Sequence, residues 1–281
     1  MIDIVTVVFN EELPILEVQA QSIELYCQNL GIKNIYVVVN DHDPVADQIY
    51  KDWWGQLKDC VQIVPRSQFG CRFVDNGWVS QQALKLLGAS LSQNSWSLIL
   101  DAKTIITDQV YPDIFVEDNN KLRLKTHKVL PVFLPSAKIA GELFGIEVES
   151  VPEPSGVPFI FHNSTVRELV DLVSQLTGEK FAEWFQDQGI LTEFILYGAY
   201  VQYKHGALDQ IYTGTNQKKL SGNICHSEIK LFDQKLQQSN TLTPLTIGVH
   251  RRAWAQLTKQ QKKSYVDYLL SRNISKAQIL L

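Results

Sequence analysis

The sequence predicts an α/β fold: a mostly parallel, Rossmann-like sheet flanked by helices, followed by a half of mixed α and β character. Three observations predict it. Over the first 110 residues, short β-branched apolar runs alternate with segments of helical period, the pattern of βαβ units with right-handed crossovers. Those runs are apolar almost throughout, as in strands buried on both faces. After Asp101 the alternation stops, and short strands mix with helices. One unit over residues 1–281 is expected, with 1–110 a nucleotide-binding-like half and 111–281 completing a pocket.

Each element has a local cause. Ile2–Phe9 (IDIVTVVF) reads as the first strand. Asn10-Glu11-Glu12 then opens a helix with Pro14 in its first turn, where the missing N–H is no loss, and Gly31 is its natural stop. Asn34–Asn40 is the second strand, ended by the turn signal Asp41-His42-Asp43-Pro44. A short helix at Val45–Trp54 leads to a third strand, Cys60–Val64. The polar loop from Pro65 to Asn76 precedes a helix at Trp78–Leu91 and a fourth strand at Trp96–Leu100.

Beyond Asp101, strands are expected at Leu122–Thr126 and Pro158–His162, with a helix near Ala137–Phe144 and a Pro-rich loop at Val151–Pro158. Thr165-x-x-Glu168 has the spacing of a capping box before a helix that ends at Gly178. Helices follow at Phe181–Gln188 and Thr192–His205, then a polar stretch at Thr213–Asn223. A last strand, Thr246–His250, leads into helical sequence from Ala253 to Leu281.

Composition excludes several classes. Lys and Arg number 26 against 30 Asp and Glu, a net charge of −4, so there is no basic surface of the kind duplex nucleic acid demands. No apolar run reaches the length of a membrane span. The apolar start is bracketed by Asp3 and Glu11-Glu12 and does not resemble a secretory signal, so a cytoplasmic protein is expected. Cys27, Cys60, Cys71 and Cys225 contain no C-x-x-C pair and read as reduced thiols. The basic amphipathic segment Gln256–Arg272 reads as a docked surface helix, with peripheral membrane contact the lesser alternative.

In an open parallel sheet, ligands bind beyond the carboxyl ends of the strands. Here those ends are Phe9-Asn10, Asn40-Asp41, Val64–Arg66 and Leu100-Asp101. No G-x-G-x-x-G follows the first strand and no G-x-x-x-x-G-K-[ST] occurs, which removes the dinucleotide fingerprint and the P-loop. The succession T-V-V-F-N, V-V-V-N-D, W-V-S-Q-Q-A-L-K-L, L-I-L-D-A-K, P-F-I-F-H, T-E-F-I-L-Y-G-A-Y and G-V-H-R, over roughly residues 2–255, resembles small bacterial and viral glycosyltransferases of the GT-A superfamily.

That resemblance implies transfer of a sugar from a nucleotide-sugar donor, UDP-sugars among them, to a hydroxyl acceptor such as a growing polysaccharide. Asp101-Ala102-Lys103 stands where the superfamily carries an Asp-x-Asp metal motif, with Lys in place of the second acid. Asp101 is thus a metal and catalytic candidate, or else the cap of its turn. His250 resembles a C-terminal histidine that completes such a site, and imidazole with carboxylate suits manganese. With Lys103 supplying fixed positive charge, only partial manganese dependence is expected, and no organic cofactor.

Glu193, at a helix opening, is either a general base for the acceptor hydroxyl or an acid favoured there by the helix dipole. Asn10 and Asp41 end the first two strands and are donor-binding candidates, although Asp41 also suits a turn. Arg72, Trp78, Gln82 and Lys85 precede the fourth strand; Gln82 and Lys85 share a helix face, whereas Gln81 and Gln82 diverge by about 100°. Arg251 offers a guanidinium fork to a diphosphate, and His162 resembles an acceptor-side wall. Two rivals remain: a nucleotidyltransferase, against which the glycine-free turn after the first strand counts, and a glycosyltransferase-like binding module silenced by Lys103.

Overall fold

The computed structural model describes all residues except 75, 118–119, 125, 148–152, 155–156, 215–221 and 226–228. Much of the expected Pro-rich loop Val151–Pro158 and of the polar stretch Thr213–Asn223 therefore lies outside the described residues.

Strands β1 (Ile2–Val8), β2 (Ile35–Val39), β3 (Val61–Pro65) and β4 (Trp96–Asp101) run parallel in the spatial order β3-β2-β1-β4. Every residue of β1 and β2 is buried, which explains why neither alternates apolar with polar. The chain steps outward from β1 to β2 and β3, then returns to the other side of β1 for β4. The strand order therefore reverses between β1 and β4, and a crevice opens at their carboxyl ends.

Helix α1 (Leu13–Tyr26) follows β1 after a 3-10 turn at Asn10–Glu12, with Pro14 in its first turn as expected. Gly31 is left-handed at φ +64°, but it closes a separate 3-10 turn, Gln28–Leu30, rather than the helix itself. The helix expected at Val45–Trp54 is replaced by 3-10 segments at Asp43–Gln48 and Lys51–Cys60, the second broken at Gly55. Helix α2 (Gly77–Ser90) crosses to β4. A Cβ at Gly88 would lie 2.8 Å from Val5 and 2.9 Å from Val38, so this helix sits flush on the sheet.

The second half adds short strands and helices: β5 (Ile105–Ile106), β6 (Leu122–Leu124), β7 (Thr126–His127), α3 (Leu134–Phe144), β8 (Glu153–Pro154) and β9 (Phe159–His162). Strand β9 extends the main sheet antiparallel to β4. Helices α4 (Asn163–Thr177), α5 (Phe181–Asp187) and α6 (Glu193–His205) follow, then β10 (Tyr212–Gly214) and β11 (Gly222–Cys225). The chain ends with α7 (Phe232–Leu242), β12 (Thr246–Val249), α8 (Arg251–Gln256), α9 (Lys259–Ser271) and a 3-10 turn at Ser275–Leu280.

The capping box expected at Thr165 and Glu168 does not form. His162 at the end of β9 takes the N-cap position, so α4 starts at Asn163 and Thr165 falls inside its first turn. A capping box does occur at Thr258 and Gln261, where α9 begins. Tyr265, Val266, Tyr268 and Leu269 bury one face of α9, which makes it the docked helix its pattern suggested. Among the described residues no helix is long and apolar enough to cross a membrane.

Candidate functional site

The crevice between the ends of β1 and β4 is where charged side chains collect. Asp101, the last residue of β4, pairs in register with Val7 of β1. The turn that follows is fixed from below by Gln19 of α1, whose Nε2 donates to the carbonyls of Asp101 at 2.7 Å and Thr104 at 2.9 Å. The Thr104 N–H closes the turn on the Asp101 carbonyl at 2.8 Å. Strand β12 lies against this turn, where a Cβ at Gly248 would come 2.8 Å from the Lys103 carbonyl oxygen. Only glycine allows that approach.

Both oxygens of the Asp101 carboxylate are engaged by ammonium groups. Lys85 Nζ lies 2.7 Å from Oδ1 and Lys103 Nζ 2.5 Å from Oδ2. Lys85 also reaches Glu193 Oε1 at 2.9 Å, so one lysine of α2 bridges the end of β4 and the start of α6. Burial alone would favour its neutral amine, but the two carboxylates hold its pKa above the ordinary lysine value. Burial would likewise raise the Asp101 carboxyl; Lys85 and Lys103 overcome this and hold it well below the usual range. For Glu193 burial prevails over Lys85, and its pKa is raised.

Two glutamines complete the unit. Gln81 Nε2 donates to Asp101 Oδ1 at 3.3 Å. The Gln82 amide, oriented by its neighbours, donates to Glu193 Oε1 at 2.8 Å and accepts from Trp78 Nε1 at 3.2 Å. The divergence of consecutive helical side chains is what lets Gln81 and Gln82 serve different carboxylates, with Lys85 between them. The Phe194 ring lies under Lys85, 5.4 Å from its ammonium. Asp101, Lys103, Lys85, Gln82 and Glu193 are thus brought together in one cluster.

The other donor-side candidates line the rim. The Asn10 N–H donates to Asp41 Oδ2 at 3.2 Å, and Asp41 also caps its own turn through the His42 N–H at 2.8 Å. Arg251 pairs with Glu11 and lies over the Phe9 ring. Trp78 is 45% exposed, so it is not a core residue. Arg72 is exposed on a loop whose backbone is read by α5: the Arg72 N–H donates to Glu183 Oε1 at 3.0 Å and the Val74 N–H to Gln186 Oε1 at 2.9 Å.

Two candidates behave differently from expectation. His162 pairs with Trp96 in the antiparallel register, at the amino end of β4. Five residues separate that end from Asp101, about 17 Å at the usual strand rise, so the structure does not bring His162 to the cluster. Its Nδ1 lies 2.9 Å from Thr165 Oγ1, and burial lowers its pKa. His250 does follow β12 beside the Asp101 turn, but its Nδ1 accepts the Arg252 N–H at 3.2 Å as the N-cap of α8. Among the described residues no three His, Cys, Asp or Glu side chains converge to hold a metal ion. With both Asp101 oxygens on ammonium groups, the donor set does not fit a divalent cation.

Sequence reasoning missed Gln19, Glu12 and the α5 pair Glu183 and Gln186. Gln19 carries a signal, a polar residue inside the apolar stripe of α1, where it is fully buried. Glu12 has a buried Oε2 without a partner, and its pKa is raised by burial against the pull of Lys103.

Solved structures resemble this arrangement in fold. The galactosyltransferase LgtC, in complex with donor and acceptor sugar analogues, matches over 96% of both chains at TM-score 0.51 and 13% identity. The glycosyltransferase GlyE of Streptococcus pneumoniae TIGR4 matches at TM-score 0.48 and 14% identity, with this chain spanning 62% of its length. The bifunctional glycosyltransferase WbbM matches at TM-score 0.49 and 11% identity, and this chain spans 51% of it. The match to LgtC shows the fold, that of the GT-A glycosyltransferases. No curated protein sequence matches the chain. One family model does, over residues 5–243, and with most of its length inside that match the chain belongs to DUF6492, a family of unknown function.

Proposed function

We propose that the protein is a glycosyltransferase that moves a sugar from a nucleoside-diphosphate donor to a hydroxyl acceptor. The observation that carries this reading is the Asp101–Lys85–Glu193 bridge with Lys103 at its mouth, seated where the strand order reverses in a GT-A fold. In such a transfer the acceptor oxygen bonds to the anomeric carbon as the bond from that carbon to the diphosphate oxygen breaks. The electron pair leaves with the diphosphate, which needs positive charge at that moment. Lys103, the more exposed of the two lysines on Asp101, supplies that charge in this reading, and Asn10, Asp41 and Trp78 offer groups to the nucleoside at the rim.

Glu193 is 1% exposed and its carboxylate is occupied by Lys85 and Gln82. That favours a positioning role, holding Lys85 against Asp101, over removal of the acceptor proton. The departing diphosphate oxygen, the base closest to the reacting centre, then receives that proton. The test is release of nucleoside diphosphate from a panel of nucleotide sugars in the presence of simple sugar acceptors. Turnover with one donor and its loss in Asp101→Asn support the reading. Tight binding without turnover would return the chain to the class of silent binding modules.

A further inference from the structure

We infer that this site handles the donor's diphosphate with an exchangeable lysine instead of a bridging divalent cation; the inference rests on the glycosyl-transfer reading above. A metal that bridges a diphosphate needs open carboxylate lone pairs. Here Lys85 and Lys103 each hold one oxygen of Asp101, and Gln81 adds a third donor to the carboxylate, at Oδ1. A divalent ion approaching Asp101 would have to expel an ammonium and then sit beside the other, and the repulsion doubles with its charge. His250, the second expected ligand, is turned to the N-cap of α8 through Nδ1.

The two lysines are not equivalent. Lys85 is enclosed between Asp101, Glu193 and the Phe194 ring, with 5% of its side chain exposed. Lys103 stands on the turn, 15% exposed, and its one ion-pair partner among the described residues is Asp101. With two ammonium groups on one carboxylate, one can leave and Asp101 still keeps a paired cation, Lys85, which it then shares with Glu193. Lys103 can therefore turn from Asp101 to a phosphate oxygen while Lys85 keeps Asp101 compensated. The four side chains Asp101, Glu193, Lys85 and Lys103 sum to zero charge, so a free Lys103 is the positive charge the incoming anion requires. No bond is made or broken in this exchange, and no proton moves.

The experiment is calorimetric titration of the full chain with inorganic pyrophosphate and with UDP and GDP, in EDTA and in manganese. The expected result is a Kd within about twofold in the two buffers, weakened about tenfold or more in Lys103→Ala and largely restored in Lys103→Arg. Binding should also weaken with added salt. A thermal melt of each variant shows that it is folded. Binding seen only with manganese would overturn the inference and leave the glycosyl-transfer reading standing, and in that case Glu12→Gln tests whether the orphan carboxylate is the missing ligand. Unchanged affinity in Lys103→Ala would overturn it too. If no probe binds in either buffer, both readings fall together.

Discussion

Two aspartates stand at opposite ends of neighbouring strands, the buried Asp3 near the start of β1 and the partly buried Asp101 at the end of β4. Asp3 accepts from the Asn34 N–H at 3.0 Å, Asn34 Nδ2 at 3.1 Å, Ser92 Oγ at 2.7 Å and Asn94 Nδ2 at 2.8 Å. All four donors are neutral, and they come from two chain segments, Asn34 and Ser92–Asn94, that this carboxylate ties to β1. Asp101 instead faces two ammonium groups and one amide. Neutral dipoles solvate a charge in place and leave nothing to exchange. Ammonium groups can change partners when another anion arrives. The same residue type, fully buried in one case and 13% exposed in the other, is therefore a rivet at one end of the sheet and a working charge at the other.

The largest effect that would sharpen this contrast is Lys85→Met. It leaves Asp101 and Glu193 facing each other without their shared cation, and breaking a buried pair in this way costs about 3–5 kcal/mol, read from urea unfolding. Next, Asp101→Asn should lower turnover per folded molecule about 100-fold or more, and it also removes the stability of the pair with Lys85. Asp3→Asn should keep turnover per folded molecule while losing about 1–3 kcal/mol of stability as its donors lose acceptors. If Asp3→Asn removed activity at native stability, the contrast between the two ends would be broken.

The acid side supplies a smaller effect. Asp101 has a native pKa below its ordinary 3.8, so its contribution to stability is complete above that value and is lost as pH falls beneath it. Glu193 has a native pKa above its ordinary 4.5. Its contribution is present below 4.5 and is lost as pH rises through the native value. Melting temperature against pH should therefore climb and then decline, and Glu193→Gln should remove the decline alone. Smallest of all, Arg251→Ala breaks an exposed pair with Glu11 and should change stability by at most about 1 kcal/mol, seen in the same melts.

How much of this was legible in the sequence follows from which forces act locally. The four parallel strands were, because each is rich in apolar, β-branched residues; β1 and β2 are buried throughout, while β3 at the sheet edge still reads as a strand despite its exposed Gln62. The gathering of Gln82, Lys85, Asp101 and Glu193 was partly legible, since strand ends and one helix face converge on the crevice by topology. The partnership itself was not, because nothing near Lys85 in sequence shows that it spans residues 101 and 193. His162 misled for a related reason. It ends a strand, like Asp101, but β9 runs antiparallel and its end lies at the other edge of the sheet. The Thr165 spacing failed because His162 supplied the N-cap three residues before the expected cap, Thr165. Gln186 and Glu183 were silent, since a glutamine that holds a loop backbone has no pattern of its own.

Gly88 gives the molecule an unexpected adjusting screw. Its bare Cα lets α2 rest against Val5 and Val38, and α2 is the beam that carries Gln81, Gln82 and Lys85. A methyl group there, Gly88→Ala, would touch no candidate ligand. It would push the beam off the sheet, and the ammonium one turn away would ride with it. The distances from Lys85 to Asp101 and Glu193 would then be reset together from a position buried in the apolar layer. Tuning of the charged cluster is thus written into a contact between hydrocarbons, where a search confined to the crevice would never look.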